Sequence, residues 1–162
     1  MTDHVARVIA QWRRERPDLD PSPQGVIARL HRIANRLTEE LVAVYAAHEL
    51  GEGEFDILAT LRRQGAPYAL SAGELAAQTM VTSGAITKRV DRCIVRGWVT
   101  RAPSDVDGRG RVVALTPAGR ALIDAAFTDH LANEKRLLAH FTVAEREQLA
   151  GLLTGWAEEL GL

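Results

Sequence analysis

Between Ser71 and Arg120 the chain reads SAGELAAQTMVTSGAITKRVDRCIVRGWVTRAPSDVDGRGRVVALTPAGR, and no other stretch constrains the fold as much. Ser71 precedes Glu74 by three residues, a spacing in which hydroxyl and carboxylate each satisfy a free backbone N–H at a helix start. A helix therefore begins near Ala72 and gives way between Thr79 and Val81. Thr82 and Ser83 offer a fresh N-cap, and from Ser83 to Arg96 the apolar Ile86, Val90, Cys93 and Ile94 recur at helical spacing. Ser83, Gly84, Thr87, Lys88, Asp91 and Arg92 are left on the other face. Gly97 suits a left-handed residue just past the helix, where the missing Cβ removes the steric cost. Trp98 and Val99, then Val112, Val113 and Leu115, read as two strands around the turn-rich PSDVDGRGR, and Thr116 with Pro117 starts another helix.

Two short helices, a hairpin with an Arg/Gly tip and a third helix make the order of a winged helix-turn-helix. The expected fold is mainly α with a small β-hairpin wing. Charge points the same way. From Thr82 to Arg111 there are seven basic residues against three acidic ones, a balance of +4 in a chain whose net charge is −1. A cationic island on an otherwise acidic protein is the footprint of phosphate contact, so double-stranded DNA is the expected partner.

The segments LGEGEFDILATLRRQG, SAGELAAQTMVTSGAITKRVDRCIVRGWVTR and DGRGRVVALTPAGR together resemble the MarR family of bacterial winged-helix regulators, over nearly the whole chain. The likeness is closest to the urate-responsive branch, whose extra N-terminal helix has a counterpart in DHVARVIAQWRRERPDLDPSP. The resemblance implies a ligand-responsive regulator, released as a repressor from operator DNA, and an intertwined helical homodimer.

A chain of 162 residues, 46% apolar and 25% charged, can bury one substantial core, so a single domain over 1–162 is expected. Residues 51–116 would form the DNA-binding lobe, and 1–50 with 117–162 would mainly serve dimerisation. No apolar run is long enough for a membrane span and no leader-like segment is read, which points to the cytoplasm and association with the nucleoid. The single cysteine, Cys93, excludes an internal disulfide framework and suits a reducing compartment.

Outside the central block, Val5, Val8, Ile9 and Trp12 fall at helical spacing before a Pro/Asp-rich break. Ser22 and Pro23 start a helix whose stripe, Val26, Ile27, Leu30, Ile33, Leu37, Leu41 and Val44, runs toward Ala47, a span of about 37 Å at 1.5 Å per residue. Gly51 and Gly53 turn the chain into a shorter helix with Phe55, Leu58 and Leu61. Beyond the wing, Leu122, Ile123, Ala126, Leu131, Leu137 and Leu138 read as a long helix, and Thr142 with Glu145 as a second capping box. These outer helices carry more apolar residues than a small core would cover. Packing within one chain would absorb some of them, and the family's dimer would absorb the rest.

For DNA, Ser83, Thr87, Lys88 and Arg92 lie on the free face of the recognition helix and are placed to reach base edges or phosphates. Arg109 or Arg111, in a Gly-flanked wing, suits a narrow minor groove. Arg96 and Arg101 read as solvated charges. For an input, spacing alone leaves Trp12 as core and Asp56 and Arg63, seven apart, as surface charges. The resemblance gives them another meaning, because the urate-responsive branch carries a Trp, an Asp, an Arg and a recognition-helix Arg at positions matched by Trp12, Asp56, Arg63 and Arg89. It implies a pocket in which Trp12 stacks on a small planar anion such as urate and Arg63 and Arg89 pair with its charge.

Cys93 reads as a buried, inert thiol or, by analogy with some family members, an oxidation sensor. The five histidines show no close ligand pairing, so no metal is expected. No nucleophile–base arrangement, phosphate loop or dinucleotide fingerprint is present, which argues against an enzyme and against a cofactor. A winged-helix protein-interaction module without ligand response, or a regulator of another phenolic, carboxylate or oxidant signal, is the alternative.

Overall fold

In the computed structural model, residues 3–79, 83–103 and 111–162 are described, and for residues 83–85 and 103 the backbone alone. The described residues form seven helices and three strands: α1 (His4–Glu15), α2 (Gln24–Ala47), α3 (Glu52–Arg63), β1 (Ala69–Ser71), α4 (Ala72–Gln78), α5 (Ser83–Val95), β2 (Val99–Pro103), β3 (Arg111–Leu115), α6 (Pro117–Leu137) and α7 (Val143–Glu159). The mainly α architecture with a small sheet is the expected one. The chain divides into two compact units, residues 1–43 and 44–162, with the boundary inside α2.

In the first unit, α1 is fastened to α2 through one carboxylate. Asp3 caps α1 by accepting from the Ala6 N–H at 2.7 Å and receives Nε and Nη2 of Arg29 at 2.7 and 3.0 Å. These hydrogen bonds, the Arg29 pair first, hold the Asp3 carboxyl down at about 2. Val5 and Ile9 are buried, while Val26, Ile27, Ile33 and Leu37 of α2 are exposed.

The second unit has its own core of Phe55, Ile57, Leu58, Leu61, Leu75, Val90, Cys93, Val99, Val113 and Ile123. Both predicted capping boxes form: Ser71 with Glu74 at α4 and Thr142 with Glu145 at α7. The sheet has the order β1-β3-β2, all antiparallel, with Leu70 opposite Val113 and Thr100 opposite Ala114. Strand β1 is an addition to the expected hairpin. Ala-Leu-Ser is too short to show a period-two pattern, and it becomes a strand because β3 offers it an open edge.

At the base of the wing, the Thr116 Oγ1 accepts from the Gly119 N–H at 2.9 Å, capping α6. The same hydroxyl faces the carbonyls of Gly97 and Trp98 at 2.8 and 3.1 Å, and the Thr116 N–H donates to Trp98 O at 3.0 Å. Along α6 and α7, Phe127, Leu131, Leu149, Leu152 and Leu153 remain exposed, and α7 has no buried residue at all.

Candidate functional site

Helix α5 is held from beneath by Ile86, Val90 and Cys93, all buried, so its period leaves Thr87, Lys88, Asp91 and Arg92 exposed together on the outer face. The helix ends as the sequence predicts. Gly97 takes φ +72°, its N–H donates to Ile94 O at 2.9 Å, and the Trp98 N–H donates to Cys93 O at 2.9 Å, the double closure of a Schellman turn. This turn aims β2 away from the end of α5. Arg111 is exposed at the first position of β3, opposite Pro103.

Of the DNA-facing residues expected from sequence, Thr87, Lys88, Arg92 and Arg111 thus lie on exposed surface. Ser83 is the first residue of α5, its side chain outside the description, and Arg109 lies outside the described residues.

The reading of Arg96 and Arg101 as solvated charges needs correcting. Arg96 pairs with Glu49 at 3.2 Å and lies over the Trp98 ring at 5.4 Å, and Arg101 pairs with Asp91 at 3.1 Å. Nor is Arg92 a free cation, since its Nε donates to Glu54 Oε1 at 2.6 Å. Glu49 and Glu54 are functional neighbours that the sequence reading missed. They stand 47 and 38 residues from their partners, and no local spacing signals such pairs.

The four residues assigned to effector binding divide between the units. Trp12 is exposed on α1 and lines a cleft of about 270 Å³ with Arg16, Leu19, Asp20, Pro21, Pro23 and Gln24, all in the first unit. Asp56, Arg63 and Arg89 belong to the second. Arg89 lies across the first turn of α3, where Gly53 is buried and a Cβ would collide with the guanidinium. Its Nη1 is buried with no hydrogen-bond partner among the described residues. Arg63 Nη2 donates to the carbonyl of Gln78, the last residue of α4, at 2.6 Å, and its side chain borders a cleft of about 460 Å³ with Ala59, Arg62, Ile123, Asp124, Phe127 and Thr128. Beside Asp56, burial and then the charges of Glu52, Glu134 and Asp56 push the Tyr45 phenol up to about 12.

Cys93 is wholly buried, and burial, with Glu54 adding to it and Arg92 opposing, pushes its thiol up to about 12. Among the described residues no group of three His, Cys, Asp or Glu is placed to hold a metal ion, and no helix is long and apolar enough to cross a membrane.

A recognition helix packed on two supporting helices and followed by a β-hairpin, which an earlier strand extends to a three-stranded sheet, defines the winged helix-turn-helix class of DNA-binding proteins. The sequence pattern of the MarR family matches residues 49–110. The HTH-type transcriptional regulator PecS of Dickeya dadantii strain 3937 is 40% identical over 149 residues, covering 92% of this chain and 90% of that protein. A variant of Escherichia coli MarR, solved complexed with operator DNA, superposes with a TM-score of 0.70 at 25% identity over 85% of this chain and 98% of its own. Sco3205, a MarR family regulator from Streptomyces coelicolor solved in complex with DNA, shares the fold with a TM-score of 0.78 at 22% identity, over 88% and 89% of the two chains. The chain belongs to the MarR family and is a DNA-binding transcriptional regulator of the MarR/PecS type.

Proposed function

We propose that this protein is a homodimeric repressor that small planar anions of the urate class release from operator DNA. The observation that carries the ligand response is the Arg89 guanidinium, which keeps a buried Nη1 without an acceptor among the described residues while belonging to the recognition helix. A buried donor without a partner is costly, and an anion entering beside it supplies the acceptor. Arg63 is the second cation, and the resemblance to the urate-responsive branch assigns Trp12 the stacking surface.

The route to DNA follows from charge. With Asp56 as the partner of Arg89 in the ligand-free state, an anion entering between them repels that carboxylate and competes for the guanidinium, so α5 shifts. It also draws Arg63 from the Gln78 carbonyl, loosening the end of α4 where the helix-turn-helix turns. A coupling of about 1 to 3 kcal/mol weakens DNA binding roughly 5- to 150-fold. Dimerisation would set two recognition helices about 34 Å apart, in successive major grooves.

A gel-shift titration against the DNA upstream of its own gene, with and without urate at one stated salt concentration, tests the reading. Binding lost on adding urate in the wild type, and retained in Asp56→Asn and Arg89→Ala, supports it. Urate-induced release that is unchanged in both variants removes this route, and binding that no planar anion weakens removes the ligand response.

A further inference from the structure

Four of the cations on or beside the recognition helix differ in what they already hold. Arg96 and Arg101 pair with Glu49 and Asp91, whose side chains are 77% and 53% exposed, so water can take over either carboxylate when the arginine leaves. Lys88 faces outward with no carboxylate partner among the described residues. Arg92 is different: both Nε and Nη2 meet Oε1 of Glu54, at 2.6 and 2.5 Å, and the Glu54 side chain is only 12% exposed against 58% for Arg92.

That asymmetry sets the energetics. A charge-assisted pair with one open partner is easily exchanged, but removing the cation from a carboxylate that water barely reaches leaves a poorly solvated charge behind. Arg92 therefore cannot turn to a DNA phosphate at no cost, whereas Lys88 can.

We propose that Glu54 is a specificity-determining residue of the DNA interface, holding Arg92 on the protein and competing with phosphate for its guanidinium. Duplex of any sequence meets a surface on which Lys88 is available and Arg92 is already neutralised. Only DNA seated closely against α5 draws Arg92 off Glu54. The carboxylate thus suppresses binding to arbitrary sequence more than binding to the operator, and raises the ratio between them.

The test is a double-mutant cycle on the full chain, with DNA affinity measured against salt on a mixed-sequence duplex and on the DNA upstream of its own gene. Glu54→Gln keeps the shape and a hydrogen-bonding oxygen while removing the charge. It is expected to tighten mixed-sequence binding more than upstream-DNA binding and to steepen the slope of log Kobs against log salt by about 0.9 per subunit, the value of one added phosphate contact. Arg92→Ala is expected to weaken mixed-sequence binding at least about fivefold more in the Glu54→Gln background than in the wild type, a coupling that the cycle isolates. Equal losses in the two backgrounds overturn the proposal, as does a Glu54→Gln variant that binds more weakly at unchanged slope, because Glu54 would then orient Arg92 for DNA. Should Glu54→Gln fail to fold, wild-type comparisons decide: Lys88→Ala should flatten the slope by about 0.9 and Arg92→Ala by less than half of that, and equal flattening refutes the competition.

Discussion

Gly53 shows how much can rest on a missing atom. Its hydrogen leaves room for Arg89 to lie across α3, and a Cβ there collides with the guanidinium of a residue on the recognition helix. Gly53→Ala is expected to destabilise the protein by about 1–3 kcal/mol, as overpacking does, and to weaken the urate response. A thermal melt paired with the gel shift checks both, and a variant with wild-type stability and response would show that Arg89 has somewhere else to go. Cys93 gives a prediction in pH. Burial raises its thiol from 9.0 to about 12, so near pH 8 the thiolate fraction falls roughly a thousandfold, and alkylation of the native protein should be slower than that of the unfolded chain by about that factor. The raised value favours the folded state, fully below pH 9 and decreasingly as pH climbs through 12. Comparable labelling rates in native protein and in denaturant would sink this account, and with it the inert-thiol reading. The burial of Cys93 was legible because it shares a helical stripe with Ile86 and Val90, whereas the pairing of Arg92 with Glu54 was not, since it depends on two helices meeting far apart in sequence.

Among the elements, those legible in advance are the ones whose causes are local. Ser71 with Glu74 and Thr142 with Glu145 announce helix starts because hydroxyl and carboxylate sit within one turn of each other. Ser71→Ala and Thr142→Ala should each cost about 1 kcal/mol in urea unfolding, with the m-value unchanged. A loss near zero for either would mean that water caps the helix as well as the hydroxyl does. Strand β1 was not legible, because Ala69, Leu70 and Ser71 have strand geometry only while Ala114, Val113 and Val112 stand opposite them. The candidate site divides in the same way. Thr87 and Lys88 follow from helical periodicity, Gly97 from turn chemistry, and the roles of Trp12 and Asp56 from resemblance alone.

Taken as a whole, the molecule leaves apolar side chains in water along α2, α6 and α7, and fully burying a leucine contributes about 1.5–3 kcal/mol. Light scattering is expected to return twice the 17.7 kDa chain mass, and Leu152→Lys with Leu153→Lys to shift the population toward a single chain. A wild-type chain that stays at 17.7 kDa through the micromolar range would leave those faces without the partner proposed for them. One small junction also bears on how such a regulator diversifies. The hydroxyl of Thr116 caps α6 while facing the carbonyls that follow the recognition helix, so the wing is stitched at its root. Pairing between β2 and β3 is then set from Val99 and Leu115 outward to Pro103 and Arg111. The register of the hairpin is thereby anchored inside the fold, so exposed side chains along β2 and β3 can be exchanged without one strand slipping past the other.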